Sequence, residues 1–172
     1  MQKNIFISLF ETYQLPLYRY LLQMTRNEET AEELLQETFY RAMVSLKVEN
    51  MNQAKAWLFK VARNLYIDQL RKAEAEERML EKVKAKQTGI SSLGNPQQQL
   101  EKKWKQKELE QILSMLPERM RTILYLREIQ GFTYKELEIM MNLTESQVKV
   151  TLHRARSKFR QLQAERKEEG AD

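Results

Sequence analysis

Between Ser146 and Ala164 the chain carries Lys149, Arg154, Arg156, Lys158 and Arg160 and no carboxylate. On a helix, Lys149, His153, Arg156 and Arg160 would form one column, with Arg154 and Lys158 further round. These side chains neutralise phosphates and donate to base edges; they do not make or break bonds. A solvated helix face normally mixes signs, so the exclusion of acid points to a polyanionic partner. A second stretch interleaves Trp57 with Lys60, Arg63, Asn64, Arg71 and Lys72. Single-stranded nucleic acid binding uses that mixture, cations tracking the backbone while flat rings stack on bases. Trp57 and Phe59 would serve equally as core among solvated cations, and this helix alone leaves the two readings even. A third stretch gathers Glu32, Glu33, Gln36, Glu37 and Arg41. Paired carboxylates can move protons, but no His, Lys or Gly-rich loop nearby completes such a site. That face is solvated or bound to a protein.

Composition narrows the chemistry further. The 172 residues include one His and no Cys, which rules out disulfides and thiolate metal sites and argues against a zinc site or a catalytic triad. No metal, cofactor or small-molecule substrate is expected. Four Gly, three Pro and the lack of alternating β-branched runs imply an all-α protein. The net charge of +5 favours a polyanionic partner only weakly when averaged over the chain. The N-terminus lacks the apolar core of a signal peptide and no segment reaches membrane-span length, so a cytoplasmic protein is expected.

The elements that position these groups are legible from caps and periodicity. Thr133-x-x-Glu136 and Thr144-x-x-Gln147 each have the spacing of a capping box, and Asn142 between them can take the left-handed conformation that ends a helix. Two starts around one stop predict a helix-turn-helix. Its second helix has an apolar stripe, Val148, Leu152, Ala155, Phe159 and Leu162. The first of these two helices is preceded by a helix starting at Pro117 and by another carrying Trp104, Leu109, Ile112 and Leu116.

Upstream, Phe6, Leu9, Phe10, Tyr13, Leu17, Tyr20, Leu21 and Met24 recur at helical spacing, with Pro16 predicting a break or kink. Asn27 or Thr30 can cap the next helix, and Thr30-x-x-Glu33 is a further capping-box spacing. That helix buries Leu34, Leu35, Thr38, Phe39, Ala42, Met43 and Leu46. The third helix has an inner stripe of Leu58, Val61, Ala62, Leu65 and Gln69, then a charged, solvated continuation over 73–86. Residues 87–99, rich in Gly, Gln and Ser, read as a flexible linker in which Pro96 can open the following helix. The tail, 165–172, is polar and expected to fray. Two small helical domains, 1–86 and 100–172, follow.

Three blocks, AEELLQETFYRA, AWLFKVARNLYIDQLRK and the terminal LPERMRTILYLREIQGFTYKELEIMMNLTESQVKVTLHRARSKFR, resemble the extracytoplasmic-function (ECF) group of bacterial sigma factors in order and spacing. The resemblance implies that 1–86 is sigma domain two and 100–172 sigma domain four. Glu33, Gln36 and Glu37 would then contact core RNA polymerase, with Phe39 packing beneath. The third helix and the loop before it would open promoter DNA and read the −10 region. A flipped base would enter near Asn50, Met51 and Asn52, flanked by Lys60, Arg63 and Asn64. The recognition helix would read the −35 element. Ser146, Gln147, Lys149, Val150 and His153 lie in the half that a helix-turn-helix sets against base edges, and Arg154, Arg156, Lys158 and Arg160 where it meets phosphates. The resemblance also implies an anti-sigma factor, commonly membrane-anchored, that holds the two domains inactive.

Two other classes compete. A stand-alone helix-turn-helix repressor or activator would need a dimerisation helix and a sensor domain, and it leaves the first two blocks unexplained. A nuclease or deaminase would need a metal cluster or a richer set of acid–base residues than one His.

Overall fold

The computed structural model describes residues 2–45, 51–83 and 102–170, with side chains over 4–45, 53–80 and 107–170. The linker at 87–99, Pro96, Leu46 and the Trp104 side chain lie outside those residues. Seven α-helices follow in order: α1 (Gln2–Thr25), α2 (Glu28–Ser45), α3 (Met51–Val83), α4 (Lys102–Met115), α5 (Glu118–Leu124), α6 (Tyr134–Met141) and α7 (Glu145–Gly170). A π-helical turn, Tyr125–Ile129, continues α5. Among the described residues there is no strand, and the fold is all-α.

Local chemistry sets most boundaries. Arg26 ends α1 in the left-handed region (φ 56°). Asn27 caps α2, its Oδ1 accepting from the Thr30 N–H at 3.0 Å. The Thr30 capping box is therefore not made, because Thr30 already sits inside the helix. Pro16 does not break α1, which runs through it. The tail, expected to fray, is drawn into α7 as far as Gly170. Met43, expected inside, is exposed near the end of α2, while Phe10 is partly exposed yet meets Phe39 edge-on at 5.0 Å.

The two halves do not stand apart. α3 packs on α6, and α1 packs on α4 and α5, so one buried apolar cluster spans both. Phe59 of α3 meets Phe132 at 4.9 Å with ring planes 76° apart, and both are fully buried. Full burial of a Phe side chain is worth about 1.5–3 kcal/mol. Each half alone has a small core, and joining them covers apolar surface that neither could cover by itself.

Candidate nucleic-acid and polymerase interfaces

The helix-turn-helix forms as its caps dictate. Thr133 Oγ1 accepts from the Glu136 N–H (3.1 Å) while Glu136 Oε1 accepts from the Thr133 N–H (3.2 Å). Thr144 and Gln147 make the same reciprocal pair at 3.2 and 2.9 Å. Asn142 stops α6 at φ 53°, ψ 52°, and its N–H donates to the Glu138 carbonyl. A bulkier residue would pay the left-handed strain that Asn tolerates.

These caps aim α7. Val148, Leu152, Ala155 and Leu162 are buried and Phe159 partly so, which anchors the apolar stripe. Ser146, Gln147, Lys149, Val150, His153 and Arg154 are consequently exposed on the opposite side. Val150 is 47% exposed, an apolar side chain with nothing in the fold to cover it. Lys149 pairs with Glu145 one turn back at 3.1 Å, and both remain solvated. Arg156 is held by Glu128 of the π-helical turn at 2.6 Å. Lys158 is half-buried and Arg160 exposed. In water such exposed pairs contribute little, so neither cation is locked away from a phosphate.

On α3 the structure shows where the rings and the cations lie. Phe59 is core, and Trp57 is half-buried against it. Asn64 is exposed and Lys60 half-buried. Arg63 is turned inward to Glu118 of α5, its Nε and Nη2 donating to the two carboxylate oxygens at 2.7 and 3.0 Å. Burial alone would lower the Arg63 pKa, but the Glu118 carboxylate raises it, so the charge is secure. Asn50 lies outside the described residues, as do the side chains of Met51 and Asn52, although both open α3.

Sequence reasoning passed over Lys55, whose Nζ reaches Glu136 Oε2 at 2.7 Å and lies 4.2 Å from the Phe132 ring centre. Burial would push the Glu136 carboxyl up, but the bonds from Lys55 and Thr133 outweigh it and hold it below the ordinary carboxylate value. No signal along the chain could pair residues so far apart; Glu136 already had a complete local role as a cap.

On α2, Glu33, Gln36 and Glu37 project to solvent on one face, with Glu37 bonded to Arg41 at 3.0 Å. Beneath them Leu34, Thr38 and Phe39 are buried. The face is free of any role in the core. Among the described residues no group of His or carboxylates could hold a metal ion, and no helix is long and apolar enough to cross a membrane.

The Sigma-70 region 2 family pattern matches residues 9–76, and the Sigma-70 region 4 pattern matches 106–159. The ECF RNA polymerase sigma factor SigM of Bacillus subtilis (strain 168) is 35% identical over 156 residues, covering 90% of this chain and 92% of SigM. RNA polymerase sigma factor YlaC of the same organism is 28% identical over 162 residues, with 94% and 93% covered. In fold, the sigma factor RpoE of Bartonella quintana, solved with the anti-sigma factor NepR, superposes with a TM-score of 0.71. It is 22% identical and covers 92% of this chain and 96% of RpoE. CnrH, solved with the cytosolic domain of CnrY, gives 0.66 at 17% identity, with 92% and 87% covered. With both sigma-70 regions in order and a full-length relative at this identity, the chain belongs to the ECF group of RNA polymerase sigma factors, which bind core polymerase and direct promoter-specific initiation.

Proposed function

We propose that residues 1–86 act as sigma domain two and 100–172 as sigma domain four, with 87–99 connecting them. In this reading the Glu33, Gln36 and Glu37 face of α2 docks on core polymerase. Asn50, Met51 and Asn52, together with Lys60, Arg63 and Asn64 of α3, engage opened −10 DNA. Ser146, Gln147, Lys149, Val150 and His153 read the −35 duplex, while Arg154, Arg156, Lys158 and Arg160 meet its phosphates. The observation that carries the reading is the outward display of the first half of α7, fixed by two capping boxes and a buried stripe on its other side. The chain supplies no catalytic group; the polymerase makes the phosphodiester bond. It works in the cytoplasm beside that enzyme. The RpoE and CnrH structures were each solved with a bound partner, and a similar anti-sigma factor is proposed here. A stand-alone repressor leaves the acidic α2 face without a role.

Permanganate footprinting of a reconstituted holoenzyme tests the −10 assignment through unpaired thymines. Alanine at Asn64 and at Asn50–Asn52 should reduce bubble formation while upstream duplex binding persists. A normal bubble in every variant would contradict the assignment.

A further inference from the structure

Two carboxylates of the helix-turn-helix half occupy two cations of α3. Glu118 grips Arg63 through both oxygens, and Glu136 takes Lys55 at 2.7 Å. All four side chains are only 15–20% exposed. Glu118 Oε1 also accepts from Thr122 Oγ1 at 2.9 Å, so Thr122 is left to accept from Tyr20 Oη at 3.0 Å, which draws α1 into the same polar cluster. Arg26 Nη1 donates to the Glu110 carbonyl, Gln130 Nε2 donates to the Pro16 carbonyl, and Phe59 meets Phe132 edge-on beside Lys55. Apart from the Thr122–Glu118 bond, each contact joins residues from opposite halves.

A carboxylate and a phosphate make the same charge-assisted bonds to guanidinium and ammonium groups. The geometry points to an autoinhibitory latch: Glu118 and Glu136 stand in for DNA phosphates and close the −10 surface of α3 on the helix-turn-helix half. The inference rests on the proposed assignment of α3 to −10 DNA. Closure and single-strand binding are then mutually exclusive, because the elements packed over Arg63 and Lys55 leave these side chains only 15% and 19% exposed, too covered for a phosphate to reach. Opening leaves the start of α6 in place. Glu136 caps α6 through Oε1 and holds Lys55 through Oε2, so the cap survives loss of the latch.

The test uses the full chain carrying Glu118→Gln and Glu136→Gln. Gln at a capping-box position still bonds the cap N–H, so α6 keeps its start. The chain has no Cys, so Met43→Cys and Gln161→Cys on exposed sites of α2 and α7 place spin labels cleanly. Pulsed electron resonance should give a single narrow distance in the parent and a longer, broader distribution in the latch variant. Binding of a mixed-sequence single-stranded oligonucleotide is measured across salt concentrations. Freeing two cations should steepen the log–log salt slope by roughly 1.4, about 0.7 per phosphate neutralised. Glu76→Gln with Glu77→Gln makes the same charge change on an exposed stretch of α3 and should leave both the distance and the slope near parental values. A broad distance in the parent, an unchanged distance in the latch variant, or a control that matches its slope would overturn the latch. Failure of the sigma-factor reading would show instead as absent transcription with core polymerase, which the distance measurement does not touch.

Discussion

Asn142 sits at φ 53°, ψ 52°, the corner on which the angle between α6 and α7 depends. Asn142→Gly should be tolerated, whereas Asn142→Val should cost about 1–2 kcal/mol in chemical denaturation, because a β-branched residue resists that conformation. Equal stabilities for the two variants would remove the corner from the account. Further along α7, Lys149 and Arg156 should behave differently. Lys149→Ala is expected to cost roughly 1–3 kcal/mol at the preferred −35 duplex and relax one base position. Arg156→Ala should weaken all duplexes alike and flatten the salt slope by about one unit. Titration of the full chain against variant duplexes separates the two, and a reversed pattern would misplace the helix in the groove. The corner and its flanking caps were legible in the sequence because a cap bonds to backbone three residues away. The Arg156–Glu128 and Arg63–Glu118 pairs were not, since partners 28 and 55 residues apart leave no local trace.

At the scale of the element, Pro16 within α1 removes one backbone donor and crowds the preceding turn. α1 nevertheless continues through it unbroken, anchored by Leu9, Leu17, Tyr20 and Leu21, all fully buried. Packing outweighed propensity there, and the expected break did not appear. Pro16→Ala should therefore stabilise the chain by about 1–3 kcal/mol, read as a higher denaturation midpoint. No gain would mean that the helix had already absorbed the cost. The acidic face of α2 makes a different prediction. Glu37→Lys reverses an exposed charge bonded only to Arg41, so the melting temperature should barely move. Affinity for core polymerase should fall. A large melting shift with unchanged affinity would move Glu37 from the partner interface to the fold. The face itself was readable from helical periodicity; that it stayed uncovered required the packed structure.

The whole molecule is two sigma regions sharing one apolar cluster, and Phe132 is the test of that sharing. Phe132→Ala removes a fully buried ring pressed on Phe59 and should cost about 3–5 kcal/mol. Because Phe59 belongs to the other half, the fluorescence of Trp57, read with Trp104 replaced by Phe, should report the same loss as the circular dichroism of the whole chain. Independent transitions would show that the halves are stabilised separately. This interface was the least legible feature. Phe59 reads evenly as core or as a ring beside nucleic acid, Phe132 draws no reading from its neighbours, and nothing in their local spacing says that they meet each other. The division of labour between the regions is most directly measured by run-off transcription with core polymerase on a library of randomised promoters. Products from the parent should enrich two sequence blocks at a fixed spacing. Lys149→Ala should relax only the upstream block and Asn64→Ala only the downstream one. Enrichment of no sequence, or each variant relaxing the block assigned to the other, would contradict the account.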